Sequence, residues 1–212
     1  MVYLASESEM QTPRDILPGF YKQYQLGEDG GQSSPHVKIE VTKKISLYFP
    51  NFPARRKAIF KHDVHHIVTG YTSTFKGETE IGAWEIASGC RHYWAAFVLD
   101  MSGLMTGILF NFLGVYKAFV KGRRTRNLYS NSLTDAEVMD MSVAEIKNKL
   151  LLTGYPENNY GGFVDILLFA GLLLFGVIYA TVSLLFLPFT LAYTFYVLIL
   201  QKKTTTARID PL

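Results

Sequence analysis

The sequence predicts an all-α protein: a helical domain followed by a C-terminal transmembrane segment, either a hairpin or a kinked single span. Three observations carry this. Residues 163–200 contain one charged side chain, Asp165, whereas a spanning helix needs only about 20 consecutive apolar residues. Helix punctuation is dense between 50 and 150, with Pro53 at a first-turn position, Gly70 at a closing position, and capping boxes at Thr134-Asp135-Ala136-Glu137 and Ser142-Val143-Ala144-Glu145. The composition is apolar, 49% hydrophobic against 18% charged, and 212 residues are enough to bury a substantial core.

The charge pattern excludes some partners. Net charge is +3, and the basic residues gather at 55–57 and 121–126. Such clusters fit anionic lipid headgroups or phosphates better than a long polyanion, so no nucleic acid is expected. The single cysteine, Cys90, excludes an intrachain disulfide and a zinc ribbon and reads as a small packing residue on a helix.

Residues 1–49 read as a partly flexible N-terminal extension. The start, Met1-Val2-Tyr3-Leu4-Ala5, breaks at once into Ser6-Glu7-Ser8-Glu9, so neither a secretory signal nor a transit peptide is expected and the chain start stays on the cytoplasmic side. Residues 27–35 form a flexible loop that leaves His36 solvated, and 37–48 alternate weakly, as a short extended segment or the lead into a helix.

The helical domain covers 50–153. Its first helix runs over 54–69 and is closed by Gly70; the second spans 77–99. The third, 102–120, is strongly apolar but too short to cross a bilayer between Asp100 and Lys117, so it is expected as a buried helix walling a lipid pocket. After a 154–162 linker comes the tail, 163–201, divided by Pro188. A turn near 180–183 would give two spans of about 18 residues and keep both ends, including the 202–212 tail with Lys202-Lys203, cytoplasmic.

The chemistry is expected between the first two helices. Three of five histidines fall in Lys61-His62-Asp63-Val64-His65-His66, and Gly77-Glu78 follows. On a helix His62, Asp63 and His66 share an arc about 100° wide, and the 70–77 connection is long enough to bring Glu78 back to them. His62, Asp63, His66 and Glu78 are therefore the expected metal-binding and catalytic residues. Two imidazoles and two carboxylates suit a divalent ion with open positions, zinc foremost, with magnesium or iron as alternatives. His65 points about 100° away and reads as a supporting or surface residue. Glu78, Glu85 and His92 recur every seven residues, so Glu85 and His92 either line the same cavity or form a satisfied polar seam.

These residues resemble the coenzyme Q (ubiquinone) biosynthesis protein 4 family, whose signature is His-Asp-x-x-His, eleven residues, then Glu. Here it is His62-Asp63-Val64-His65-His66, residues 67–77 and Glu78, with Thr69-Gly70, Gly77 and Gly122-Arg123-Arg124 as matching flanks. The resemblance covers about 50–150. It implies an all-α protein with a divalent metal on His62, Asp63, His66 and Glu78 at the mouth of a hydrophobic cavity. It further implies a polyprenyl hydroxybenzoate-type substrate, oxidative decarboxylation at ring carbon 1 as a lyase-type activity, and organisation of other quinone-biosynthesis enzymes. A prenylated quinone precursor or other lipid, the membrane, those enzymes and a second copy of the chain are the implied partners. The expected location is a membrane with the catalytic domain on the cytoplasmic side, or the matrix side of a mitochondrial inner membrane. The apolar tail departs from the family pattern, in which membrane contact is peripheral.

Four other readings compete. His62-x-x-His65-His66 also spells a histidine box of membrane lipid desaturases and hydroxylases, but two irons need about eight histidines and five are present. A His-Asp phosphohydrolase needs an upstream histidine, for which only the loop residue His36 is available. A non-enzymatic membrane scaffold, in which a metal or polar network pins two helices, remains, as does a divergent metal-dependent lipid hydroxylase.

Overall fold

The computed structural model describes residues 9–42, 45–90, 92–156 and 158–207; the readings of the first eight residues and of the last five lie outside them. The order of elements is α1 (Pro13–Tyr24), β1 (His36–Thr42), β2 (Ile45–Pro50), α2 (Pro53–Thr69), α3 (Phe75–Ser88), α4 (Trp94–Phe110), α5 (Phe112–Gly122), α6 (Asp135–Asp140), α7 (Val143–Lys149), α8 (Phe163–Leu185) and α9 (Leu187–Ala207). The fold class is all-α, and among the described residues one helix, α8, is long and apolar enough to cross a membrane.

The N-terminal region is more structured than its composition indicates. Thr12 and Asp15 make a capping box, with the Thr12 backbone N–H and hydroxyl donating to Asp15 Oδ2 at 2.9 and 2.7 Å, and Pro13 opens α1. Leu17 and Tyr21, one turn apart, are buried in the main core. The weak alternation after residue 36 becomes an antiparallel hairpin, β1 on β2, with His36 opposite Pro50. His36 is half-buried, not solvated, with Nδ1 2.7 Å from the Tyr193 hydroxyl of α9.

Two helix boundaries differ from expectation, each for a local reason. The expected helix over 77–99 stops at Ser88. Gly89 takes φ +101°, and Asn127, fully buried, donates its amide to the carbonyls of Glu85 and Gly89 and to Ser88 Oγ, capping the end from across the fold. The expected helix over 102–120 breaks at Asn111, whose φ of −146° is non-helical and whose amide donates to Glu80 Oε1 at 3.0 Å on α3. The expected lipid-pocket wall is corrected with it, because Leu109, Phe110, Phe112 and Leu113 around this break are exposed. Both capping boxes ahead of α6 and α7 form as expected.

The main core surrounds α3, which packs against α4 and α5. Ile81, Trp84, Leu104, Val115, Val120, Leu128, Ile146 and Leu150 are among its fully buried members. Beyond the 154–162 linker, α8 is tied back to this body. Arg123 and Arg124 donate to Asp165 at 2.8 and 2.6 Å, and Phe169 inserts among Phe112, Tyr116 and Phe119. Further along, Phe175 meets Phe97, and the Tyr179 hydroxyl donates to Val98 O of α4 at 2.7 Å. Its other face exposes Ile166, Leu167, Leu174, Val177 and Ile178. The break at Phe186 falls later than the expected turn near 180–183, and α9 packs on β2, where Thr194 Oγ1 accepts from Tyr48 N–H at 2.9 Å.

Close helix contact at Gly107 is testable. A Cβ there would lie 2.5 Å from Thr79 Cβ and 2.6 Å from Val115 Cγ2, both on stiff β-branched side chains. Gly→Ala inside a helix ordinarily stabilises by about 0.5–1 kcal/mol, whereas overpacking costs about 1–3 kcal/mol. Gly107→Ala should therefore lower the thermal midpoint of the detergent-solubilised protein; a raised midpoint would show that α3, α4 and α5 are not in close contact there.

Candidate metal centre

The candidate centre is built on the contact between α2 and α3. Pro53 starts α2 and Gly70, at φ +77°, ends it, so His62 and His66 stand one turn apart on one face. The chain then turns so tightly that a side chain at Gly77 would collide with the Thr72 backbone, which places Glu78 in the first turn of α3. A carboxylate is favourable at that end of a helix dipole.

Three expected ligands converge. His62 Nε2 and His66 Nε2 are 3.2 Å apart. Glu78 Oε2 lies 3.4 Å from the first and Oε1 3.3 Å from the second, while Ser73 Oγ donates to Oε1 at 2.7 Å. The fourth, Asp63, does not join them. It is buried beside Tyr21 and Gly30, with Oδ2 lacking a hydrogen-bond partner, and burial raises its pKa to about 6 although His62 and His66 pull the other way. A one-residue step rotates Asp63 by about 100° from His62, far enough to face α1.

Hydrogen bonding sets the tautomers. The carbonyl of Tyr71 can only accept, so His66 Nδ1, 2.9 Å away, carries the proton and Nε2 is a free lone pair. His62 Nδ1 donates to Glu85 Oε1 at 3.1 Å, which leaves its Nε2 free in the neutral ring. Two lone pairs facing each other at this distance repel unless a proton or a cation lies between them. Burial opposes charge on His62, yet Glu85 and Glu78 outweigh it and hold its pKa well above 6.5. The same two imidazoles hold Glu78 far below the usual carboxylate range despite its desolvation. His62 is 24% and Glu78 41% exposed at the side chain, so the trio opens to the surface.

Behind it lies a deeper polar layer. His65 is fully buried; its Nε2 accepts from the Leu128 backbone N–H at 2.9 Å, so Nδ1 donates to Glu85 Oε1 at 2.5 Å. Trp84 and Tyr129 pack edge-on against the ring, and burial lowers its pKa. Glu85 thus serves both His62 and His65 with one oxygen, while Oε2 has no partner. Gly82 lets α4 come so near that a Cβ there would lie 3.0 Å from Asp100 O, and this brings the buried Asp100 carboxylate to Glu85. The buried Cys90 thiol, in the loop between α3 and α4 instead of on a helix, donates to Asp100 Oδ2 at 3.5 Å.

The seven-residue recurrence located Glu85 but not His92, which is exposed beyond the end of α3. Asp100 carried no sequence signal beyond marking the edge of an apolar run. His65 looked peripheral by helix angle, and only the fold shows that α3 and Leu128 enclose that face.

The two layers should separate in mutants. His65→Ala strands the Leu128 N–H and removes a donor from Glu85, which should cost about 3 kcal/mol or more in denaturant unfolding. Glu78→Ala, at the open edge, should cost less than about 1 kcal/mol. Equal losses would contradict the division.

Comparison of this chain with known proteins finds no protein-family profile, no curated protein and no solved structure that matches.

Proposed function

We propose that the protein is a membrane-associated, metal-dependent protein of quinone-lipid synthesis, acting on a prenylated aromatic ring in the manner the resemblance implies. The observation that supports this most is the convergence of His62 Nε2, His66 Nε2 and the Glu78 carboxylate at separations of 3.2–3.4 Å. The donor set fits a divalent ion: two imidazoles and one carboxylate suit zinc and tolerate magnesium or iron, and the exposed edge at Glu78 leaves positions for substrate. Such an ion supplies Lewis-acid polarisation of a ring carboxylate and an adjacent ring oxygen.

The chain's own residues provide the rest. Tyr71 O and Glu85 fix the orientation of the two imidazoles, the kind of support that sharpens ligand geometry. Phe75, one turn before Glu78, is exposed and meets the exposed Phe110, so an apolar rim lies beside the site where a prenyl chain can rest. The lipid-length helix α8 packs on α4, which supports a reading in which that body rests against a bilayer. We place the catalytic domain on the cytoplasmic or matrix side, with other quinone-biosynthesis enzymes or a second copy of the chain as partners there.

A scaffold without catalysis is the second reading. It is favoured by one observation: the cleft of about 600 Å³ beside Arg55 is lined by the 25–34 loop with His36, Val37 and Lys38 and includes none of His62, His66 and Glu78.

Full-length protein purified in detergent tests the proposal through its metal content and its co-purified lipid. His66→Ala and Glu78→Ala should each lose one ion per chain with helix content retained, and the wild type should carry a prenylated phenolic lipid. Unchanged metal in both variants would contradict the ligand assignment; phospholipid alone would favour the scaffold.

A further inference from the structure

Glu85 and Asp100 present a problem that the outer trio does not solve. Glu85 is 0% and Asp100 5% exposed, and neither is within ion-pair distance of a lysine or arginine among the described residues. Their carboxylates face each other, Glu85 Oε2 accepts nothing, and the buried hydroxyl of Tyr129, which lies near both, also lacks a partner. Two buried carboxylates can meet only if a proton or a cation neutralises one of them. Donor atoms of His62, Glu85 and Asp100 lie within 4.8 Å of one another, a separation that one ion can bridge.

We propose that Glu85, Asp100 and His62 Nδ1 form a second divalent-cation site behind the outer one, with the His62 ring joining the two. The ring geometry suits this, because Nε2 faces Glu78 and His66 while Nδ1 faces Glu85. The unpartnered Glu85 oxygen and Tyr129 hydroxyl supply further oxygen donors. Two carboxylates and one imidazole make this a harder site than the outer one, suited to manganese, magnesium or ferrous iron. With both ions bound the His62 ring is a bridging imidazolate: the inner ion replaces the Nδ1 proton and the outer ion the Nε2 proton, both protons leave to solvent, and no redox change is involved. The ion enters past the partly exposed His62.

The test is metal stoichiometry by mass spectrometry on full-length protein in detergent, stripped with chelator and dialysed against Mn²⁺. The inner site predicts two ions per chain in the wild type, one in Asp100→Asn and one in Glu78→Ala. A wild type with one ion, kept in Asp100→Asn and lost in Glu78→Ala, overturns the inner site and leaves the outer one standing, with Glu85 and Asp100 sharing a proton. One ion kept in Glu78→Ala and lost in Asp100→Asn supports the inner site and removes the outer reading. Should Asp100→Asn not fold, Glu78→Ala decides alone: an empty protein overturns the proposal.

Discussion

A carboxylate enclosed in a helical core must be neutralised, and Glu85 imposes that requirement on everything around it. Its Oε1 takes two imidazoles, which fixes the faces of α2 that meet α3; one of these rings, His65, must then accept from Leu128, which fixes the segment after α5. Burial would raise the Glu85 pKa, yet His62 and His65 hold it below the usual range, so its charge is retained and the α2–α3 contact is electrostatic as well as apolar. The outer histidines inherit their orientation from this arrangement. His62 is held from behind by Glu85, and its other nitrogen is thereby directed at His66 and Glu78.

The helical body holds one face of α8. The 23 residues of α8 are apolar enough to span, yet the segment from Asp165 to Tyr179 touches α4 and α5 by ion pairs, ring contacts and a hydrogen bond. These contacts hold the apolar α4 and the exposed aromatics near Asn111 beside α8.

Much of this was legible because it depends on local rules. The α2 limits followed from Pro53 and Gly70, α6 and α7 from their capping boxes, and the pairing of His62 with His66 from a four-residue step. What was not legible depends on side chains distant in sequence. Asn127 ends α3 from 38 residues beyond Gly89, and Asn111 breaks an apolar run by bonding to Glu80. Asp63 shares the helical arc with His62 but is turned toward α1, an element whose apolar spacing at Leu17 and Tyr21 was hidden in a polar stretch. Asp100 reaches Glu85 only because Gly82 permits a close helix approach.

The outer site therefore depends on the Nε2 atoms of His62 and His66, each ring oriented by the hydrogen bond at its Nδ1. X-ray absorption at the zinc edge, on full-length protein loaded with one equivalent of zinc, examines them directly. It should show nitrogen and oxygen neighbours at about 2.0–2.1 Å with the outer-shell pattern of two imidazoles. A shell of oxygens alone, or sulfur at about 2.3 Å, would contradict it.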